Sequence, residues 1–345
     1  MNLERIKNTS STIIMMIGIS GSGKSTKAEE LAKIYDAKIY SSDKLREELY
    51  GDVNDQTHNN ELFTELHKRM VSDLKNDISV IYDATNLSLK NRRKFLRYME
   101  ENKCYPKVCA YVMSTSYEKC IEQNKMRERQ VPDYVLEKQL KSFEMPFYEE
   151  GFDTIYIDGW NEPLNKYDGI NKYDETIQNI SDNKMRILNG IKGVDQLCKY
   201  HKYTLDIHSQ ICKNYINCPE PIWTKILKEA ADFHDIGKLY TRTVKEDGNC
   251  SYLNHANVGA YYMLSNIDAI DLNNWKEIIY CLTIINYHMR PFDWKTEKAQ
   301  KKYFDIFGPV LYTYLTYFNI CDKKSCGTEE SLEGGEKDEE NVYND

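Results

Sequence analysis

The chain has 345 residues, 41% hydrophobic and 29% charged, a balance that excludes a collagen-like, wholly disordered or mostly membrane-embedded chain. That length exceeds one comfortable core and suits two domains of ordinary size. The formal charge of -8 is concentrated at the C-terminus, where residues 327–345 hold eight of the 54 acidic side chains and one of the 46 basic ones. The remainder is close to neutral and leaves room for a basic groove, so a nucleic-acid partner is not excluded.

The longest apolar run, residues 13–17, is far too short to span a bilayer. No charged segment followed by an apolar stretch opens the chain, so the expectation is a cytoplasmic protein without a membrane partner. Ten cysteines are scattered without a CxxC pair, which predicts reduced thiols packed as small hydrophobes.

In chain order, short apolar runs at 12–18, 37–40, 78–82, 108–113 and 154–157 predict buried strands. Amphipathic stretches at 24–35, 61–74, 89–99 and 117–128 predict the helices between them. Such alternation implies an α/β domain over 11–158, a parallel sheet with helices on both faces. The polar segment within 159–183 repeats Asn-Lys-Tyr-Asp at 165–168 and 171–174 and is expected to be a linker. Helical periodicity then dominates: 221–234, 254–266, 275–288 and 303–321 predict an all-α domain over 184–326. The acidic tail, 327–345, is expected to be disordered.

Directly after the first strand, Gly18-Ile19-Ser20-Gly21-Ser22-Gly23-Lys24-Ser25-Thr26 matches GxxxxGK[ST] and opens a helix. Glycines let backbone N–H groups turn inward around nucleotide phosphates, and the helix N-terminus favours the negative charge. Lys24 would then neutralise the outer phosphates of ATP or another NTP, with Ser25 on Mg²⁺. This cradle identifies a donor and leaves the acceptor open. Asp43 and Arg46, three residues apart at a helix opening, either form a base and phosphate pair or serve as an N-cap and a surface charge. Asp83, in Asp83-Ala84-Thr85-Asn86, ends the third strand at the ligand crevice of such sheets. Arg127 and Arg129 precede Val131-Pro132 and suit a lid over transferring phosphoryl groups.

Together these residues resemble the polynucleotide 5'-hydroxyl kinase family over about the first 158 residues. The resemblance implies that Asp43 is the general base on the 5'-hydroxyl, that Arg46 contacts phosphate at the acceptor site, and that Arg127 is the favoured lid arginine over Arg129.

Four of the seven histidines fall at His208, His234, His255 and His288. His234-Asp235-Ile236-Gly237-Lys238 joins a His-Asp dyad to a glycine expected to end a helix. His208 and Asp322 complete four candidate ligands from three helices, a mixed imidazole and carboxylate set suited to Mn, Ni, Co, Fe, Zn or Mg. The order His, His-Asp, His, His, Asp resembles the HD-superfamily phosphohydrolases over roughly 201–326. It implies metal ligands at His208, His234, Asp235 and Asp322, Lys238 near the substrate phosphate, and His255 and His288 at a second metal or the phosphate. Lys166-Tyr167-Asp168-Gly169 also matches the KxDG motif of nucleic-acid ligases. A ligase needs a large domain after the lysine, so the motif reads as linker sequence.

The combined expectation is a bifunctional end-healing enzyme acting on RNA or DNA ends, with a separate ligase as partner and a homodimer allowed. It would phosphorylate a 5'-OH and remove a 3'-phosphate or a 2',3'-cyclic phosphate. The rivals are a small-metabolite or nucleoside kinase fused to an HD nucleotide hydrolase, and an NTP-dependent RNA-binding regulatory module with a non-catalytic HD scaffold.

Overall fold

The computed structural model describes residues 11–55, 57–161 and 173–328. The chain divides into two compact units, Met1–Gln139 with Pro146–Lys166, and Leu140–Met145 with Tyr167–Asp345. The ligase-like motif at 166–169 and the acidic tail beyond 328 lie outside the described residues. Among the described residues no helix is long and apolar enough to cross a membrane.

The first unit runs β1 (Thr12–Ile17), α1 (Lys24–Tyr35), β2 (Lys38–Ser41), α2 (Ser42–Tyr50), α3 (Asn59–Lys75), β3 (Val80–Asp83), α4 (Leu89–Glu101), β4 (Lys107–Val112), α5 (Tyr117–Lys125), α6 (Asp133–Lys141) and β5 (Thr154–Ile157). The strands form one sheet in the order β2-β3-β1-β4-β5. Every pairing in it is parallel. β1 and β3 are buried along almost their whole length, which is why they read as continuous apolar runs without alternation. Ile14, Met16, Ile81, Cys109 and Tyr111 pack with Ala28 and Leu31 of α1 into one core cluster. The adjacent β1 and β3 therefore deliver the glycine-rich loop and Asp83 at neighbouring carboxyl ends.

α5 stops at Lys125, short of the expected 128, so Arg127 and Arg129 lie in the connection to α6. The cause is Asn124, buried at the end of α5, whose amide donates to the Val131 carbonyl at 2.8 Å and accepts from the Val131 N–H at 3.0 Å. That pair closes a compact loop, and Pro132 cannot extend the helix.

The second unit contains α7 (Tyr173–Ile191), α8 (Leu205–Tyr215), α9 (Pro221–Phe233), α10 (Lys238–Thr241), β6 (Thr243–Val244), β7 (Cys250–Ser251), α11 (His255–Ser265), α12 (Trp275–Tyr287) and α13 (Glu297–Ser325). α12 is buried on nearly every face, the mark of a central helix, and packs against α9 and α11, while α8 packs against α9 and α13. Three differences from the sequence expectation stand out. α7 begins at Tyr173, inside the stretch read as linker. The unit is not purely helical, because β6 and β7 pair antiparallel across a turn where Gly248 takes φ 80. The segment Leu140–Met145 also groups here: Phe143 packs edge-on against Tyr261 with centroids 5.1 Å apart, and the Met145 N–H donates to the Asn286 side chain at 2.6 Å.

Candidate active sites

In the first unit, residues 18–23 wrap back from β1 into α1. Gly21 has φ 81, and a Cβ there would lie 2.2 Å from the Cys120 carbonyl oxygen, so only glycine fits. Lys24 is buried and its Nζ donates to the Ile19 carbonyl at 2.7 Å, across the mouth of the loop. Burial lowers its pKa to about 8, with the Asp83 carboxylate opposing that shift. Ser25 Oγ donates to Asp83 Oδ2 at 2.9 Å, and burial raises the Asp83 pKa. Ser22 Oγ is buried with no hydrogen-bond partner. Thr26 is exposed on the first turn of α1. Ser20 is held from outside the motif: its N–H donates to Gln139 Oε1 at 2.7 Å and its hydroxyl accepts from Gln139 Nε2 at 3.1 Å.

An orphaned hydroxyl, a lysine folded over the loop and a Cβ-free cradle fit a nucleotide's phosphates. The Ser25 and Asp83 oxygens together fit Mg²⁺.

Ser41 caps α2, leaving Asp43 free of that duty. Asp43 instead accepts from Arg46 Nη1 at 3.0 Å and from Arg129 Nη1 at 3.1 Å. Arg46 is buried, is held by Asn59 Oδ1 at 3.0 Å and keeps an unpartnered Nε. Arg129 is further anchored to Asn54 and the Val53 carbonyl, so it is Arg129 rather than Arg127 that reaches Asp43. Arg127 is exposed, and its charge contributes to lowering the Lys24 pKa. Behind Asp83, the fully buried Arg92 forms a two-pronged pair with Glu150 at 2.7 and 2.9 Å and donates to the Asn86 and Leu87 carbonyls.

In the second unit, His208 of α8, the His234-Asp235 turn after α9, His255 opening α11, His288 ending α12 and Asp322 of α13 converge. His208 Nε2 lies 3.0 Å from Asp322 Oδ1 and 3.2 Å from Asp235 Oδ2. His234 Nε2 lies 3.4 Å from each of those two oxygens. The other carboxylate oxygen, Asp235 Oδ1, faces His255 Nε2 at 3.2 Å and His288 Nε2 at 3.8 Å. Asp235 thus stands between two histidine pairs.

Gly237 makes this packing possible. It is in ordinary helical conformation at φ -63 and does not end α9. Instead, a Cβ there would lie 2.0 Å from the His255 carbonyl oxygen, so the glycine lets α11 approach the dyad.

The outer nitrogens fix each ring. The Nδ1 atoms of His234, His255 and His288 face the carbonyls of Ala231, Tyr252 and Ile285 at 2.8 to 3.0 Å, so each carries the proton it donates. His208 Nδ1 meets Ser325 Oγ at 2.9 Å. The Ser325 proton already goes to the Asp322 carbonyl at 2.6 Å, leaving its oxygen to accept from His208. In the neutral rings all four Nε2 lone pairs therefore face inward, and two Nε2 pairs stand only 3.2 Å apart. Facing lone pairs at that separation repel unless a cation, proton or metal, lies with them. Two buried trios, His208-His234-Asp322 and Asp235-His255-His288, have metal-ligand spacing, and their His and Asp donors fit a divalent metal.

The charges agree with that reading. Burial opposes a charge on His234, but Asp235 and Asp322 outweigh it and hold the pKa at about 10. His208 is raised by the same carboxylates against its burial. His288 falls to about 3 through burial and the neighbouring His234 and His255. Despite their burial, Asp235 and Asp322 are held well below the ordinary carboxylate range, Asp235 by Lys238 and the histidines and Asp322 by His208 and His234. Lys238 Nζ reaches Asp235 Oδ2 at 2.6 Å and Gln196 Oε1 at 2.7 Å.

Motif spacing alone overlooks Gln139, Asn59, Arg92, Gln196 and Ser325. Only Ser325 had a local signal, one helical turn beyond Asp322.

The first unit is an α/β domain bearing a P-loop, and its residues 13–146 match the family model of the AAA domain. Among solved structures, 41% of the chain is similar to 46% of a chain in the Pnkp1/Rnl/Hen1 RNA repair complex, at 20% identity and a TM-score of 0.34. A gluconokinase from Sinorhizobium meliloti 1021 is similar over 44% of this chain and 83% of its own, at 20% identity and a TM-score of 0.32. The chain thus spans under half the length of the repair-complex chain it matches. No curated protein matches the chain.

Proposed function

We propose that the chain is a bifunctional end-healing enzyme. The first unit transfers the γ-phosphoryl group of ATP or another NTP to the 5'-OH of RNA or DNA. The second, read as an HD phosphohydrolase, removes a 3'-phosphate or a 2',3'-cyclic phosphate before a separate ligase seals the break. What carries the reading is the inward convergence of four imidazole Nε2 atoms on the carboxylates of Asp235 and Asp322, in a chain that also bears a phosphate cradle.

In the transferase half, the backbone N–H groups of Gly21 and of Gly23 to Thr26 grip the donor phosphates, those of Gly18, Ser20 and Ser22 being held within the protein, and Lys24 balances the phosphates' charge. Asp43 takes the proton from the attacking hydroxyl as the new O–P bond forms. For that it must exchange its ion pairs with Arg46 and Arg129 for the hydroxyl. Arg46 then holds phosphate on the acceptor side, and Arg127 or Arg129 closes over the transferred group. Ser25 and Asp83 would hold Mg²⁺, which shields the phosphate oxygens.

In the hydrolytic half, His208, His234, Asp235 and Asp322 would hold one divalent metal, and His255 and His288 with Asp235 a second. Such a metal supplies Lewis-acid polarisation of the phosphoryl group. Lys238 meets the substrate phosphate, and the carbonyls behind His234, His255 and His288 together with the Ser325 hydroxyl behind His208 keep the histidines in the ligating tautomer.

The test is a paired assay on 5'-OH and 3'-phosphate or cyclic-phosphate ends of RNA and DNA, with labelled ATP and a panel of divalent metals. Label on the oligonucleotide and phosphate release at the 3' end are expected. Label on small acceptors alone favours a metabolite kinase, and no release with any metal removes the hydrolytic half.

A further inference from the structure

α13 is not one rod. At Gly308 the backbone leaves the helix, with φ 69 and ψ 166, and Pro309 restarts it. The bend turns two faces of the same element toward each other, Gln300, Lys301 and Phe304 before it and Tyr312, Thr316 and Asn319 after it. Together with Pro291, Phe292, Trp294 and Lys295 they line a half-open cavity of about 830 Å³, within the 300–1,000 Å³ range of small-molecule sites.

Its lining is aromatic and basic. Trp294 stacks on Tyr312 with ring centroids 4.4 Å apart and 11° between planes. Phe292 and Phe304 line the same space and stay 37% and 44% exposed, large rings left open on a wall. Trp294 itself is only 5% exposed, yet its Nε1 is buried with no hydrogen-bond partner. The lining holds three lysines against one glutamate, a surplus that selects an anion.

None of the cluster's histidine or aspartate side chains lines the cavity, but the two share segments of chain. Its wall starts at Pro291, three residues after His288, and ends at Lys323, next to Asp322. Asn319 on that wall donates to the His288 carbonyl at 3.2 Å. A ligand with a flat aromatic part and a phosphate meets both features.

We infer that this cavity seats the nucleobase of the nucleotide whose phosphate is hydrolysed at the adjacent cluster, extending the Trp294 and Tyr312 stack. The inference rests on the hydrolase reading for which phosphate is cleaved, but base binding is measurable without turnover. Stacking tolerates any base because every base has a π-face, so the site recognises a terminal nucleotide as a class.

The test uses the full chain carrying Lys24→Ala, so that the P-loop does not contribute, and follows tryptophan fluorescence on titration with adenosine or cytidine 3'-monophosphate. A saturable change is expected, absent in a Trp294→Phe version and absent with ribose 5-phosphate, which has no base. Lys301→Glu, at an exposed position, and Thr316→Phe, which adds a ring to the wall, should each weaken binding about tenfold. No response to any nucleotide, an equal response to ribose 5-phosphate, or unchanged binding in both variants overturns the inference. Phosphate release measured on the same preparations separates the two readings. Hydrolysis without a fluorescence response removes the base site and leaves the hydrolase. A base-dependent response without release at any metal does the reverse.

Discussion

The two candidate sites are built by opposite strategies. The phosphate cradle is a run of consecutive residues whose grip comes from the backbone, shaped by Gly21 against the Cys120 carbonyl. The histidine and aspartate cluster takes its side chains from five separate places between His208 and Asp322 and depends on how five segments pack. A backbone site survives wherever its loop survives. A side-chain site is vulnerable at every helix that contributes to it, and at residues that touch only its ligands.

The largest expected effect breaks this comparison at Asp235, the carboxylate shared by both histidine pairs. Asp235→Ala should reduce phosphate release by about a thousandfold or more and leave 5'-OH phosphorylation unchanged; a matching loss of phosphorylation would show that the chemistries are not independent. On the other side, Asp43→Ala should lower phosphoryl transfer by about a hundredfold or more while nucleotide affinity and phosphate release hold steady. An affinity loss with normal turnover would instead assign Asp43 to holding Arg46 and Arg129.

A smaller effect belongs to Ser325, which touches a ligand without being one. Ser325→Ala removes the acceptor for His208 Nδ1–H and should weaken metal affinity by about 10- to 100-fold, read by calorimetric titration with the metal alone. The smallest effect is one of pH. Lys24 has its pKa depressed to about 8 in the free protein, so it is charged below that value and loses its proton as pH rises through it. Nucleotide affinity should be level below pH 8 and fall above it, by up to about tenfold per unit, and Lys24→Ala should flatten the curve. The same shift makes the folded state gain stability between about 8 and the ordinary lysine value, since there the unfolded chain binds more protons.

Most of the first unit was readable in advance because its signals are local: five apolar runs, a glycine-rich loop and short helices, each a few residues long. The order in which the strands lie side by side, β2-β3-β1-β4-β5, carries no such mark, because it is set by contacts between segments distant along the chain. In the second unit the spacing of His208, His234, Asp235, His255, His288 and Asp322 announced the cluster. What it did not announce was the role of Gly237, which is set by the approach of α11 and is invisible in one dimension. Gln139 on the glycine-rich loop and Gln196 on Lys238 escaped for the same reason. The break at Gly308-Pro309 falls inside the stretch read as one continuous helix, 303–321, because apolar periodicity runs on across it.

The buried pairing of Arg92 with Glu150 has an evolutionary consequence. Both side chains are wholly shielded from solvent, so replacing either alone strands a charge with no water to hold it, at about 3–5 kcal/mol. Neighbouring lineages should therefore either keep both or exchange both for apolar residues, and a single-site change at one position marks a chain on its way to losing the loop behind Asp83.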